Sequence, residues 1–200
     1  ISKADGEVRV VDSNPDTLDD AETDPARVAE SNAFFWNPRS LQYINDKLYV
    51  HAEAKHHRSF DSDSPGLSYE DCIFEVDPSG RGQKEIYRAQ EFIYEVLIHR
   101  GYIYLSTSDA WNLDHRIETD TVTEEEISRM SYQISRVPLS SPKQKPEIVY
   151  RQQGTQGVVQ KMRAYDNTLL FVDGARTFET DEPIKQDTVA LDLSTFEYSY

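Results

Sequence analysis

Short runs of alternating hydrophobic and polar residues, rich in Ile, Val and Tyr, recur along most of the chain. Alternation over four to eight residues is typical of a β-strand with one buried face, and β-branched and aromatic residues favour strands. One block contains four such runs, bounded by Gly, Pro, Ser or charged residues: Phe92–Ile98, Tyr102–Thr107, Tyr132–Leu139 and Glu147–Arg151. The block therefore predicts a four-stranded antiparallel meander.

The same series of features occurs three times along the chain. A polar turn precedes a hydrophobic strand at Leu48–Val50, at Ile103–Leu105 and at Leu169–Phe171, and a strand, a turn and a closing strand follow each time. A period of about 55 to 65 residues with four strands in each repeat is typical of a β-propeller blade. An ordinary β-sandwich with coincidental spacing is the alternative.

We therefore expect an all-β, β-propeller-like fold that forms a partial propeller of about three four-stranded antiparallel blades. The blades are expected at residues 38–88, 91–151 and 157–200, and together they make one propeller-like domain, 38–200. An irregular acidic segment with one candidate strand, residues 1–37, precedes that domain. Three blades cannot close a ring, so the chain is expected to pair as a homodimer or to belong to a longer propeller. A start at Ile1 rather than at Met favours the longer protein.

Each expected blade carries a long insert after its second strand, at residues 51–71, 106–129 and 173–187. In a propeller these connections emerge on one face, and long loops over a rigid scaffold are where binding residues concentrate. We predict a ligand-binding rim with the following candidates: His51, His56, His57, Asp109, Trp111, His115 and Arg176. Trp111 would stack on a sugar or grip a peptide, or else it only pins its loop to the body.

One hairpin resembles those of bacterial YWTD-type and TolB-like β-propellers. It runs from Ile73 to Tyr87 through the turn Asp77-Pro78-Ser79-Gly80, and Ile103–Thr107 stands where these families carry an aromatic-rich second strand. The resemblance extends over Pro38–Tyr200 and implies a propeller topology and a bacterial exported, extracytoplasmic or secreted protein. The Trp-Thr-Asp core of the family is missing, so the resemblance implies no functional residue.

Charge and composition narrow the class of partner. The chain has 36 acidic and 21 basic residues and a net charge of −15. Nucleic acid is excluded as a partner because phosphate binding needs a cationic surface. No apolar run is long enough to predict a membrane span. Cys72 is the single cysteine, which excludes a disulfide within the chain, and we expect it to pack as a small apolar residue.

The inserts contain no recognisable catalytic motif. Three histidines of the first insert lie near Asp61 and Asp63, but their spacing matches no zinc signature, so no cofactor is expected and a divalent cation is the alternative. The chain lacks a Gly-rich phosphate loop, a Gly-x-Ser-x-Gly elbow and a His-Glu-x-x-His motif, and no catalytic residue is predicted.

The sequence thus favours a non-enzymatic binding or scaffold module that takes a protein or carbohydrate ligand on the rim. The alternative is the accessory propeller of a hydrolase, such as a prolyl-oligopeptidase-like peptidase or a glycoside hydrolase, with its catalytic residues elsewhere.

Overall fold

A computed structural model describes residues 36–57, 67–77, 83–89, 91–108, 123, 125, 129–153, 156–176 and 183–200. These residues form three four-stranded antiparallel sheets, each a simple meander in chain order. Sheet A contains β1 (Trp36–Ile44), β2 (Lys47–His57), β3 (Leu67–Val76) and β4 (Gln83–Arg88). Sheet B contains β5 (Ile93–His99), β6 (Tyr102–Ser108), β7 (Ser131–Pro138) and β8 (Glu147–Gln153). Sheet C contains β9 (Gln156–Tyr165), β10 (Thr168–Arg176), β11 (Pro183–Asp192) and β12 (Tyr198–Ser199).

The prediction of an all-β chain with three four-stranded antiparallel sheets is confirmed for the described residues. Their arrangement as blades of a propeller stays a prediction. The expected boundary between residues 1–37 and 38–200 also stays a prediction, because residues 1–35 lie outside the described part of the chain.

The first hairpin of each sheet has a two-residue turn, as the sequence predicted. Asn45 and Asp46 have φ of 50° and 61°, and Arg100 and Gly101 have φ of 47° and 78°. Positive φ at both central residues gives the turn a twist that matches that of the flanking strands, and Asn, Asp and Gly adopt this conformation most readily. Local turn chemistry therefore sets the register of these hairpins.

The predicted long insert in every repeat is wrong for sheet C and too long for sheet A. In sheet A the pairing continues from Leu48↔Val76 to His57↔Leu67, so the connection is residues 58–66 and not 51–71. In sheet C pairing continues to Arg176↔Pro183, which leaves 177–182, a shorter connection than 139–146 in sheet B. The ladders continue because strand pairing satisfies backbone hydrogen bonds that a loop must satisfy separately. Only in sheet B does most of the expected insert, residues 109–129 of 106–129, lie between strands.

The chain divides into two compact units, residues 1–90 with sheet A and residues 91–200 with sheets B and C. One face of sheet A carries the buried cluster Val50, Ala52, Cys72, Phe74 and Val76. Residues alternate between the two faces of a strand, so the residues next to these in sequence, including His51 and Asp71, lie on the other face.

In the second unit, strand β9 of sheet C contacts β5, β6 and β7 of sheet B, so the two sheets pack face to face. Between them lies a core whose largest fully buried members include Tyr104, Tyr132, Phe171 and Met162. A register shift between Leu170 and Val172 and a φ of 56° at Lys161 mark a bulge in β9. Because a bulge inserts one extra residue, Val159 and Met162, three positions apart, are both fully buried.

The hairpin end of the second unit is held by polar contacts between sheets B and C. Nε2 of His99 donates to the carbonyl oxygen of Asp166 at 2.7 Å, and Arg100 donates to the side chain of Asn167. The guanidinium of Arg136 lies 4.4 Å from the ring centre of Tyr102 and 4.5 Å from that of Phe196. These contacts add directional interactions to the apolar packing of the two sheets.

Candidate functional site

Most residues predicted for the rim lie where their side chains are not described. Asp109, Trp111 and His115 are outside the described residues. His56 and His57 lie in β2, and Arg176 lies in β10. The sequence had predicted that these three positions belong to loops. His51 is the member of the predicted set whose side chain the structure describes, and its ligand-binding role stays a prediction, as do those of the other six.

His51 lies inside strand β2 rather than at the start of a loop, and its side chain is 2% exposed. Its Nε2 is 3.0 Å from Oδ1 of Asp71, which is also buried. A carboxylate accepts hydrogen bonds, so the imidazole donates from Nε2, and in the neutral ring Nδ1 is then the acceptor. Asp71 thereby fixes both the tautomer and the orientation of the ring.

Three more polar groups surround this pair on sheet A. Nη1 of Arg39 lies 3.6 Å from Oδ1 of Asp71, and the same guanidinium donates to Glu53. Nδ2 of Asn37 donates to Oε1 of Glu53 at 3.2 Å. The exposed Arg39, on the edge strand β1, therefore brings a positive charge to the carboxylates of Glu53 on β2 and Asp71 on β3. We call Arg39, His51, Glu53 and Asp71 the sheet A cluster.

A second buried polar group, the Asp173 cluster, ties sheet B to sheet C. Asp173 on β10 accepts hydrogen bonds from Tyr132 on β7 and, at 2.5 Å, from Tyr150 on β8. Nε2 of Gln152 donates to the hydroxyl of Tyr150 at 2.8 Å and to that of Tyr200 at 3.3 Å. Burial, followed by the hydrogen bond to Asp173, raises the pKa of both Tyr132 and Tyr150. Both phenols therefore remain protonated donors.

The Asp173 cluster is surrounded by aromatic rings and by closely packed backbone. The ring of Tyr150 meets Phe171 edge to face at 4.7 Å between centroids and Tyr198 at 5.2 Å. A Cβ added at Gly157 would lie 2.6 Å from Cε1 of Tyr132 and 2.8 Å from the carbonyl oxygen of Gly174. The absence of a side chain at Gly157 therefore lets the ring of Tyr132 reach Asp173.

Sequence reasoning missed Asp71, Asp173, Tyr132 and Tyr150 as functional candidates. The carboxylates of an acidic chain are many, and the partners of Asp173 are 41 and 23 residues away in sequence. The alternation in the strands does carry a partial signal, because Asp173 occupies a position that the pattern Leu169, Phe171 assigns to the core. A buried carboxylate needs hydrogen-bond partners, which the sequence alone does not identify.

Among the residues that the structure describes, no group of three or more His, Cys, Asp or Glu side chains is placed to hold a metal ion. The described part of the chain also includes no helix that is long and apolar enough to cross a membrane.

Comparison with known proteins gives neither a family nor a curated relative. No family model matches the chain, and no curated protein matches it. The solved structures that resemble it include two mutants of the apocarotenoid oxygenase of Synechocystis, at 9% and 12% identity and a TM-score of 0.42. A cobalt-substituted form of the same enzyme matches at 10% identity and a TM-score of 0.39. The match covers 83–84% of this chain and 38% of the oxygenase chain.

These matches correct the main functional prediction. The chain was expected to be a non-enzymatic binding or scaffold module, whereas the solved structures that resemble it are those of an enzyme. The alternative, a propeller that belongs to an enzyme, agrees better with them. The chain spans well under half the length of those proteins.

Cys72 is expected to be chemically inert in the folded protein. Its side chain is fully buried in sheet A, and burial is the main cause that raises the pKa of its thiol. The thiolate is the reactive form, so we expect alkylation by iodoacetamide in buffer at neutral pH to be slower than in denaturant by about a hundredfold or more. Intact-mass measurement over time tests this, and equal rates in the two conditions would contradict the burial of Cys72.

Proposed function

We propose that the chain is the accessory propeller part of an enzyme and that its three sheets are successive blades. The observation that carries this proposal is the packing of β9 across β5, β6 and β7. Two meanders of the same strand order stack through their faces, with the first strand of one sheet against the other sheet. Successive blades of a propeller are related in this way.

The blade count supports the view that other residues complete the ring. Three four-stranded sheets leave sheet faces that a closed propeller would cover with a neighbouring blade. We propose that further blades of a longer protein cover them. The same proposal includes the YWTD-type or TolB-like family and an extracytoplasmic location, both of which rest on the hairpin at residues 73–87.

We propose a hydrolase as the enzyme, with a peptide or a glycoside as its substrate and its catalytic residues outside this chain. The test compares this 200-residue chain with the polypeptide of its full native reading frame. Both are assayed with peptidyl p-nitroanilides and with p-nitrophenyl glycosides. We expect the native polypeptide to hydrolyse one of these classes and the 200-residue chain to hydrolyse neither.

A second part of the test asks whether the fold of this chain contributes to the activity of the native polypeptide, or whether the chain is only attached to the catalytic domain. Gly157→Ala in the native polypeptide disturbs the packing of sheets B and C, so it should lower kcat/KM, whereas Gly174→Ala should leave it nearly unchanged. A native polypeptide that is inactive on both classes would overturn the proposal. Light scattering behind size exclusion adds an independent check, since a stable dimer of the 200-residue chain would indicate that two copies complete the ring.

A further inference from the structure

Three adjacent strands of sheet A place a serine, a histidine and an aspartate on one face. Ser40 on β1 is the direct cross-strand partner of His51 on β2, and residues paired in this way point to the same face with Cβ atoms about 5 Å apart. His51 in turn contacts Asp71 on β3 through Nε2, at 3.0 Å from Oδ1. The order across the sheet is therefore hydroxyl, imidazole and carboxylate.

The hydroxyl of Ser40 has no hydrogen-bond partner among the described residues, although its Oγ is buried. A buried hydroxyl without a hydrogen-bond partner is uncommon in folded proteins and calls for an explanation such as a chemical role. Because Asp71 occupies Nε2 of His51, Nδ1 is the nitrogen left to accept a proton. Because Ser40 and His51 lie on the same face of neighbouring strands, we expect a change of the Ser40 rotamer to bring Oγ within reach of the imidazole.

We propose that Ser40 is a nucleophile, that His51 is its general base and that Asp71 is a positioning residue. The reaction is acyl transfer from a small activated ester. Ser40 Oγ attacks the ester carbonyl and its proton passes to Nδ1 of His51, after which the C–O bond breaks and the imidazolium protonates the leaving alcohol. Water then attacks the acyl-Ser40 ester, again with His51 as the base, and releases the carboxylic acid and the free serine.

The burial of Ser40 Oγ favours a small acyl group as the substrate. Ser40 lies on the outermost strand of sheet A, and the residues before it, Asn37, Pro38 and Arg39, are exposed. Because Oγ of Ser40 is buried, we expect a small substrate to reach it from this edge more readily than a large one. This inference is independent of whether the chain belongs to a larger hydrolase.

The test uses the whole 200-residue chain and a fluorophosphonate probe, which phosphonylates an activated serine with loss of fluoride. We expect one adduct per chain, located at Ser40 by peptide mass spectrometry. Ser40→Ala should abolish it, and His51→Gln should lower the labelling rate by about a hundredfold. Ser194→Ala, at an exposed serine in the turn after β11, is the matched control and should label like the parent chain.

The role of Asp71 is tested through the conservative variant. Asp71→Asn should slow the labelling of Ser40, and Asp71→Glu should restore part of the rate, whereas a merely structural role predicts no such restoration. Circular dichroism of each variant identifies any that fails to fold. Absence of a Ser40 adduct on the folded parent chain would overturn the proposal. An adduct that persists in Ser40→Ala would also overturn it.

Discussion

Replacement of Asp173 by alanine is expected to lower the free energy of unfolding by about 2–5 kcal/mol. The substitution removes the acceptor that Tyr132 and Tyr150 share, and both phenols are almost completely buried. Two buried donors then lose a partner while the cavity left by the carboxylate adds to the cost. Urea unfolding of the 200-residue chain, monitored by tyrosine fluorescence, measures the loss.

Asp173→Asn is the matched control because it preserves the volume and one carbonyl acceptor. Its amide oxygen accepts from one tyrosine, and the hydroxyl oxygen of the other accepts from the amide nitrogen. We expect a loss clearly smaller than that of the alanine variant. Equal losses in the two variants would mean that the negative charge of Asp173, and not its hydrogen-bonding geometry, holds the cluster together.

Gly157→Ala is expected to destabilise the second unit by about 1–3 kcal/mol, the range typical of overpacking in a well-packed core. The new Cβ would approach Cε1 of Tyr132 to 2.6 Å and the carbonyl oxygen of Gly174 to 2.8 Å. The carbonyl belongs to paired backbone of β10 and cannot move without disturbing the ladder. Movement of the Tyr132 ring would strain its hydrogen bond to Asp173, so neither contact is relieved cheaply. Thermal unfolding followed by near-ultraviolet circular dichroism measures the effect.

Gly174→Ala makes the same chemical change in the neighbouring strand and serves as the control. Its Cβ would meet one atom within 4 Å, the carbonyl oxygen of Val158 at 3.3 Å. A shift of a few tenths of an ångström is enough there, and we expect a much smaller change in the unfolding midpoint. A larger loss at Gly174 than at Gly157 would contradict the packing of Tyr132 described above.

The two polar clusters differ in the role that they support. In the Asp173 cluster each named hydroxyl and carboxylate oxygen has a partner, and the cluster links two sheets across the core of the second unit. Its role is structural, and we expect its loss to lower the stability of the fold. The sheet A cluster lies on three strands of one sheet next to a hydroxyl without a described partner, and this feature makes it the better candidate for chemistry.

The sequence predicted the strands best where short-range rules decide the structure. The turns at Asn45-Asp46 and Arg100-Gly101 appear where expected because each contains Asn, Asp or Gly between two hydrophobic runs. The ends of strands were less predictable. Strands β2 and β3 continue through polar residues such as Glu53 and Asp71, which pair with each other across the ladder although neither residue type favours strands.

The sequence by itself determined the all-β class, the three meanders and their order, because alternation and turn residues act over a few neighbouring positions. Only the tertiary structure decided which polar residues meet. Whether Asp173 reaches two tyrosines, or Asp71 reaches His51, depends on strand register and on the stacking of whole sheets. Those contacts join residues 20 to 41 positions apart, so no short stretch of the sequence contains a pattern that predicts them. The free energy that stabilises them comes from burial and hydrogen bonding between distant parts of the chain.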